Sequence, residues 1–151
     1  MTLLDEEIRA RIDAPHLWYV ATVAADGAPH VSPMWLGRDG DRVFFNTAVG
    51  RIKERNLRHD PRVSLSQADP ADLFDRVQIR GRVVGFVEGA EAERNMDRLA
   101  AKYLGTERYP WLIPGEHRIV AVIEPAKVRR VRGVEPLPPG APGAGTPGAA
   151  G

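Results

Sequence analysis

"HLWYVATVAADGAPHVSPMWLGRDGDRVFFNT", His16 to Thr47, carries the pattern that decides the fold. Apolar and β-branched residues run in three stretches, with Asp26-Gly27 and Asp39-Gly40 standing between them. Asp-Gly pairs tolerate the positive φ that a tight hairpin needs, so the segment reads as three antiparallel strands joined by short turns. Pro33 falls inside the second stretch. A proline has no N–H to give to a ladder, which places this strand at a sheet edge or at a bulge.

The same strand signal continues outward. "RVSLSQ" and "DRVQIRGRVVGFVE" read as strands, and in the second Val77, Ile79 and Gly81 alternate with Gln78, Arg80 and Arg82. That period of two is the mark of a sheet with one face in the core. "HRIVAVIEPAKVRRV" adds another strand, expected to close at Pro125 and to resume over Val128 to Val131. Two helices complete the pattern. Leu4, Ile8 and Ile12 share a face, with Thr2 or Asp5 as cap. Ala92, Met96, Leu99, Ala100 and Tyr103 fall at helical spacing ahead of Gly105, a stop signal. Trp18 and Tyr103 are expected in the core. The class is mostly β (α+β), a six-stranded antiparallel barrel with peripheral helices. Residues 1–133 form its single domain, and the Pro/Gly/Ala-rich stretch 134–151 is expected to be a disordered tail.

Composition narrows the function classes. With 21 basic and 20 acidic residues the formal net charge is +1, so the surface as a whole is not adapted to nucleic acid or anionic lipid. Any anion site must be local. There is no cysteine, hence no disulfide, thiolate metal site or cysteine nucleophile. The N-terminus lacks the apolar core of a signal peptide, and the longest apolar run, "LWYVATVAA", is far short of the roughly 20 residues that span a bilayer. A soluble cytoplasmic protein is the expectation. His16, His30, His59 and His117 show no metal-ligand spacing, so no metal is expected. No nucleophile–base–acid arrangement stands out, and no side chain is assigned a catalytic role.

One segment is strongly basic. "NTAVGRIKERNLRHDPRVSL", Asn46 to Leu65, holds Arg51, Lys53, Arg55, Arg58 and Arg62. A helix of about two turns fits between Arg51 and His59 before Pro61 ends it. Arg51 and Lys53 then fall in its first turn, where the helix dipole disfavours cations by a few tenths of a kcal/mol each. A phosphate or carboxylate bound just after Thr47 would reverse that sign, because free N–H groups and cationic side chains converge on it. The competing reading is a solvated arginine-rich face with Glu54 and Asp60 as local partners. Nucleic-acid binding is not supported, since no aromatic residues interleave the charges for base stacking.

The order "VATVAADGAPHVSPMW", "VFFNT", "GRIKERNLRHDPRVSLS", "VQIRGRV" resembles the pyridoxamine-phosphate-oxidase-like split β-barrels. Within them it is most similar to the deazaflavin reductases that use coenzyme F420. The resemblance covers about Asp5 to Arg132. Its most specific piece is R-x-K-x-x-N-L-x-x-D-P, here Arg51, Lys53, Asn56, Leu57, Asp60 and Pro61. It implies a homodimer with cofactor sites at the subunit interface. Arg51 and Lys53 match positions that bind the cofactor's phosphate and acidic tail, and Thr47 matches a position near that phosphate. Ser32, Pro33 and Met34 match the strand on which the tricyclic ring lies, while Trp35, Tyr109 and Trp111 are candidates to line a substrate pocket over it. The implied reaction passes a hydride from the reduced cofactor to an electron-poor unsaturated small molecule, with the protein orienting and shielding. Two alternatives stay open: FMN on the same barrel, and a non-catalytic deazaflavin- or haem-binding protein. For haem, no histidine follows His117 to serve as a C-terminal ligand.

Overall fold

The structure, a computed structural model, describes residues 2–134 and 137–142. Helix α1, Glu6–Asp13, starts on Asp5, whose carboxylate accepts the Ile8 N–H at 2.9 Å. Leu4, Ile8 and Ile12 are buried along one side, as their spacing predicts. Strands β1 (Trp18–Val23) and β2 (Pro29–Met34) form the first hairpin around Gly27, at φ 86°. Next come β3 (Gly37–Asp39), β4 (Arg42–Ala48), α2 (Ile52–His59), β5 (Arg62–Asp69), β6 (Asp72–Glu88), α3 (Ala90–Leu104) and β7 (Arg118–Val131). Pro33 lies within β2, an edge strand as expected.

The sheet has seven strands rather than six, ordered β2-β1-β5-β6-β7-β4-β3, antiparallel at every pairing and not closed. The extra strand arises because the stretch expected as one strand divides at Trp35–Leu36. Leu36 finds its hydrogen bonds outside the ladder: its N–H donates to the Tyr103 hydroxyl at 3.0 Å, and its carbonyl accepts from Lys102 at 2.6 Å. With both backbone groups satisfied by α3, the chain can leave β1 and re-pair with β4. Gly37 then lies under Phe44, where a Cβ would stand 2.5 Å from the ring.

The division also shows how far the sheet is curled. Six strand spacings of about 4.8 Å would separate the edges of a flat sheet by roughly 29 Å. Met34 on one edge and Gly37 on the other are bridged by only two residues, a reach of about 11 Å at most. The sheet therefore rolls into an open barrel with its seam at Trp35–Leu36.

A second correction concerns Pro125, which does not end its strand. It pairs with Gly81 where the β6–β7 register shifts, and β7 runs on to Val131. A Cβ at Gly81 would meet the Glu124 carbonyl at 2.4 Å, so the missing side chain makes the bulge possible.

The interior core joins Trp18, Val20, Val43, Phe45, Leu65, Ile79 and Ile123 to the buried face of α1. A satellite cluster of Phe44, Ala92, Leu99 and Val120 lies under α3. Strand β4 thus buries both faces, which explains its lack of alternation. Tyr103 is half-buried and packs against this satellite cluster, with its hydroxyl also donating to the His16 carbonyl at 2.6 Å. Helix α3 ends on Gly105 in the left-handed region, at φ 70°. No helix among the described residues is long and apolar enough to cross a membrane. Of the expected tail, residues 135–136 and 143–151 lie outside the described residues.

Candidate functional site

Helix α2 begins one residue later than its charge pattern suggests. Arg51 is the N-cap, without a side-chain capping bond, and Lys53 is the second helical residue. The first turn also contains an acid. Glu54, 5% exposed, accepts from the Gly50 N–H at 3.0 Å and from Arg58 Nε at 2.8 Å. Asp60 pairs with Arg62 at 2.6 Å. Arg58 and Arg62 are therefore held by local carboxylates, as the solvated-face reading expects. Arg51 and Lys53 are not.

Lys53 Nζ donates to Ser32 Oγ at 2.9 Å, and no carboxylate of the described residues lies within ion-pair reach of it. Burial, followed by the nearby Arg51 charge, pushes its pKa below the ordinary lysine value. Arg51 instead reaches Glu116 at 2.7 Å. The N–H groups of Ile52, Lys53 and Glu54 have no acceptor among the described residues, as expected for a helix start. Two contacts place this helix end. Asn56 Nδ2 donates to Thr22 Oγ1 at 3.0 Å on β1, and the Arg51 N–H donates to the Ala48 carbonyl at 3.1 Å, just past buried Thr47 on β4. Ser32 and Lys53 are thereby brought together beside Arg51, and Thr47 lies buried on β4 next to Ala48.

A cavity of about 210 Å³ opens beside the barrel seam, and Pro33, Met34, Trp35, Tyr109 and Trp111 all line it. Trp35 stacks on Tyr103 with centroids 5.1 Å apart and 7° between planes. Tyr109 stands edge-on to both Trp35 and Trp111, at 6.1 and 5.8 Å. The loop carrying Tyr109 is tied to α3 by its N–H, which donates to Asp97 at 2.9 Å.

Asn46 and Arg118 supply polar groups to the same wall, and neither was singled out by sequence pattern. An arginine opening the apolar run "IVAVI" was the available signal for Arg118. Glu116 had none, since its partner Arg51 lies 65 residues away. Glu116 joins the two halves of the site: one oxygen meets Arg51 and the other meets Arg118 at 3.1 Å. Those guanidinium contacts, Arg51 first, hold its carboxyl below the usual range. Ser32 makes a second bridge, bonded to Lys53 and adjacent in chain to cavity-lining Pro33. Cations and unpaired N–H groups at one end and an aromatic slot at the other fit a flat ring system that carries a phosphate.

The model of the family described as pyridoxamine 5'-phosphate oxidase matches residues 4–132. The chain belongs to the pyridoxamine 5'-phosphate oxidase family. Among curated relatives of this family member is the pyridoxine/pyridoxamine 5'-phosphate oxidase of Cupriavidus metallidurans. It is 33% identical over 110 residues, which cover 71% of this chain and 49% of that protein. The chain thus spans about half the length of this relative. Among solved structures, one titled F420 reductase superposes with a TM-score of 0.70 and 26% identity, covering 80% of this chain and 94% of that one. A conserved hypothetical protein of Mycobacterium tuberculosis gives 0.66 and 23%, with coverages of 87% and 86%, a likeness of fold alone. The family's fold therefore extends to this chain.

Proposed function

We propose that this chain binds coenzyme F420 and uses it to reduce an electron-poor unsaturated small molecule. The observation that carries the reading is Lys53: a half-buried ammonium with a hydroxyl but no carboxylate partner among the described residues, beside Arg51 and a helix start with unpaired N–H groups. Such an arrangement is completed by a phosphate. Its position one residue from the aromatic cavity suits a cofactor whose ring lies along Ser32, Pro33 and Met34. The bound cofactor would supply the hydride. Arg51 and Lys53 hold the anionic end, β2 orients the ring, and Trp35, Tyr109 and Trp111 position the acceptor and exclude water. The structural likeness to an F420 reductase supports this choice.

The cavity, at about 210 Å³, is smaller than the roughly 300–1,000 Å³ of a complete small-molecule site. A second copy would complete it. The outward face of the β1–β2 hairpin supports a homodimer, with Tyr19 56% and Val31 61% exposed beside Pro33. FMN is the second reading, favoured by the 33% identity to an oxidase and by a phosphate that suits the same cations.

Lys53→Ala is expected to weaken deazaflavin binding about tenfold or more, since a hydrogen bond to a charged group contributes about 1.5–3 kcal/mol. Fluorescence titration measures it, with Arg55→Ala as the exposed control. Unchanged affinity in Lys53→Ala would remove the reading.

A further inference from the structure

We infer that the aromatic cavity is a site for a flat, conjugated carboxylate, with Arg118 as its anchor. Arg118 is a strand residue whose side chain is only 10% exposed, yet it lines the cavity. It is held on three sides. Nε donates to Asn46 Oδ1 at 2.9 Å, one Nη donates to Glu116 Oε2 at 3.1 Å, and the other donates to the Met96 thioether at 3.2 Å. Asn46 is fixed in turn, its amide donating to the Ala92 carbonyl at 2.9 Å and to Asn95 at 3.0 Å. The guanidinium is thus positioned before any ligand arrives.

Its donors are not used up. A guanidinium carries five N–H groups. Three have partners here, one of them a weakly accepting sulfur, so each terminal nitrogen keeps one N–H without an acceptor among the described residues. A buried donor left unmade is unfavourable. Two free donors on the two terminal nitrogens match the two oxygens of a carboxylate, whereas a single carbonyl oxygen or a hydroxyl would leave one unmet.

Charge points the same way. Arg51 and Arg118 share a single carboxylate, Glu116, while Lys53 beside Arg51 has a hydroxyl partner and no carboxylate among the described residues. The remaining wall is aromatic, with the Arg118 guanidinium 5.6 Å from the centre of the Tyr109 ring. A ligand must therefore place its anionic group at Arg118 and its π-system against Trp35, Tyr109 and Trp111. This inference deepens the proposed function by naming the class of acceptor. The binding itself requires no cofactor.

The test uses cofactor-free protein, trans-cinnamate as probe and trans-cinnamamide as its neutral counterpart, read by tryptophan fluorescence quenching. Cinnamate is expected to bind at least tenfold tighter than the amide. Arg118→Gln should reduce that preference to about threefold or less, with amide binding unchanged as evidence of an intact cavity. Glu116→Gln frees Arg118 of its counter-charge and keeps an acceptor, so it should strengthen cinnamate binding several-fold and leave the amide alone. This second variant keeps the inference open to refutation even where Arg118→Gln does not fold. Equal affinities in the native protein, or weaker cinnamate binding in Glu116→Gln, would overturn it. So would a preference lost in Lys53→Ala but kept in Arg118→Gln, which would seat the carboxylate on the cofactor cations. None of these results depends on deazaflavin affinity, so the inference and the proposed function fail separately.

Discussion

Lys53 illustrates how a charge becomes informative through what surrounds it. Five basic residues crowd Arg51 to Arg62, but Arg58 and Arg62 are held by Glu54 and Asp60. The two that point to an anion are those placed where a helix start disfavours cations, and this was legible because it breaks a local electrostatic rule. Glu116, Asn46 and Arg118 were not legible, because their roles come from pairings 65 and 72 residues apart in the chain. A pH dependence follows from Lys53. Its folded-state pKa lies below the ordinary 10.5, through burial and then the Arg51 charge. Anion binding requires the ammonium, so cofactor affinity is full below the lowered pKa and declines as pH rises through it, earlier than for an ordinary lysine. Dissociation constants measured across the alkaline range check this. A decline that begins only near 10.5 would contradict it.

Among the elements, those governed by local signals matched expectation. The Asp5 cap and fourfold spacing set α1, Gly105 stopped α3, and Pro33 marked an edge strand. Two features escaped because distant partners decide them. The chain leaves β2 at Trp35–Leu36 since Tyr103 and Lys102, some 66 residues later, satisfy the Leu36 backbone. Pro125 is tolerated within β7 since Gly81 across the ladder has no side chain to collide with Glu124. Gly81→Ala should therefore destabilise the fold by about 1–3 kcal/mol, the usual effect of overpacking. Gly85→Ala, with open space around its Cβ position, should change stability little. Urea unfolding midpoints compare the two, and equal effects would mean that the bulge does not depend on close approach at Gly81.

For the whole molecule, strand order along the chain conveyed a mostly antiparallel barrel, whereas the open seam and seventh strand depended on side-chain support from α3. The seam matters because it lies beside the cavity and brings the edge strand β2 next to α2. A partial cavity and an exposed apolar hairpin face together predict a homodimer. Val31→Asp, on that face opposite Ala21, should shift the protein to monomer in sedimentation and weaken cofactor binding with it. A native protein that sediments as a monomer at micromolar concentration would refute the dimer.

The identity of the cofactor is best tested by titrating the purified native protein with coenzyme F420 and, in parallel, with FMN, following fluorescence. On the proposed reading, Arg51 and Lys53 would hold the phosphate of either, and the acidic tail of the deazaflavin would meet the remaining positive charge. The expected result is at least tenfold tighter binding of the deazaflavin; equal or tighter binding of FMN would contradict the proposed function and favour the flavin alternative.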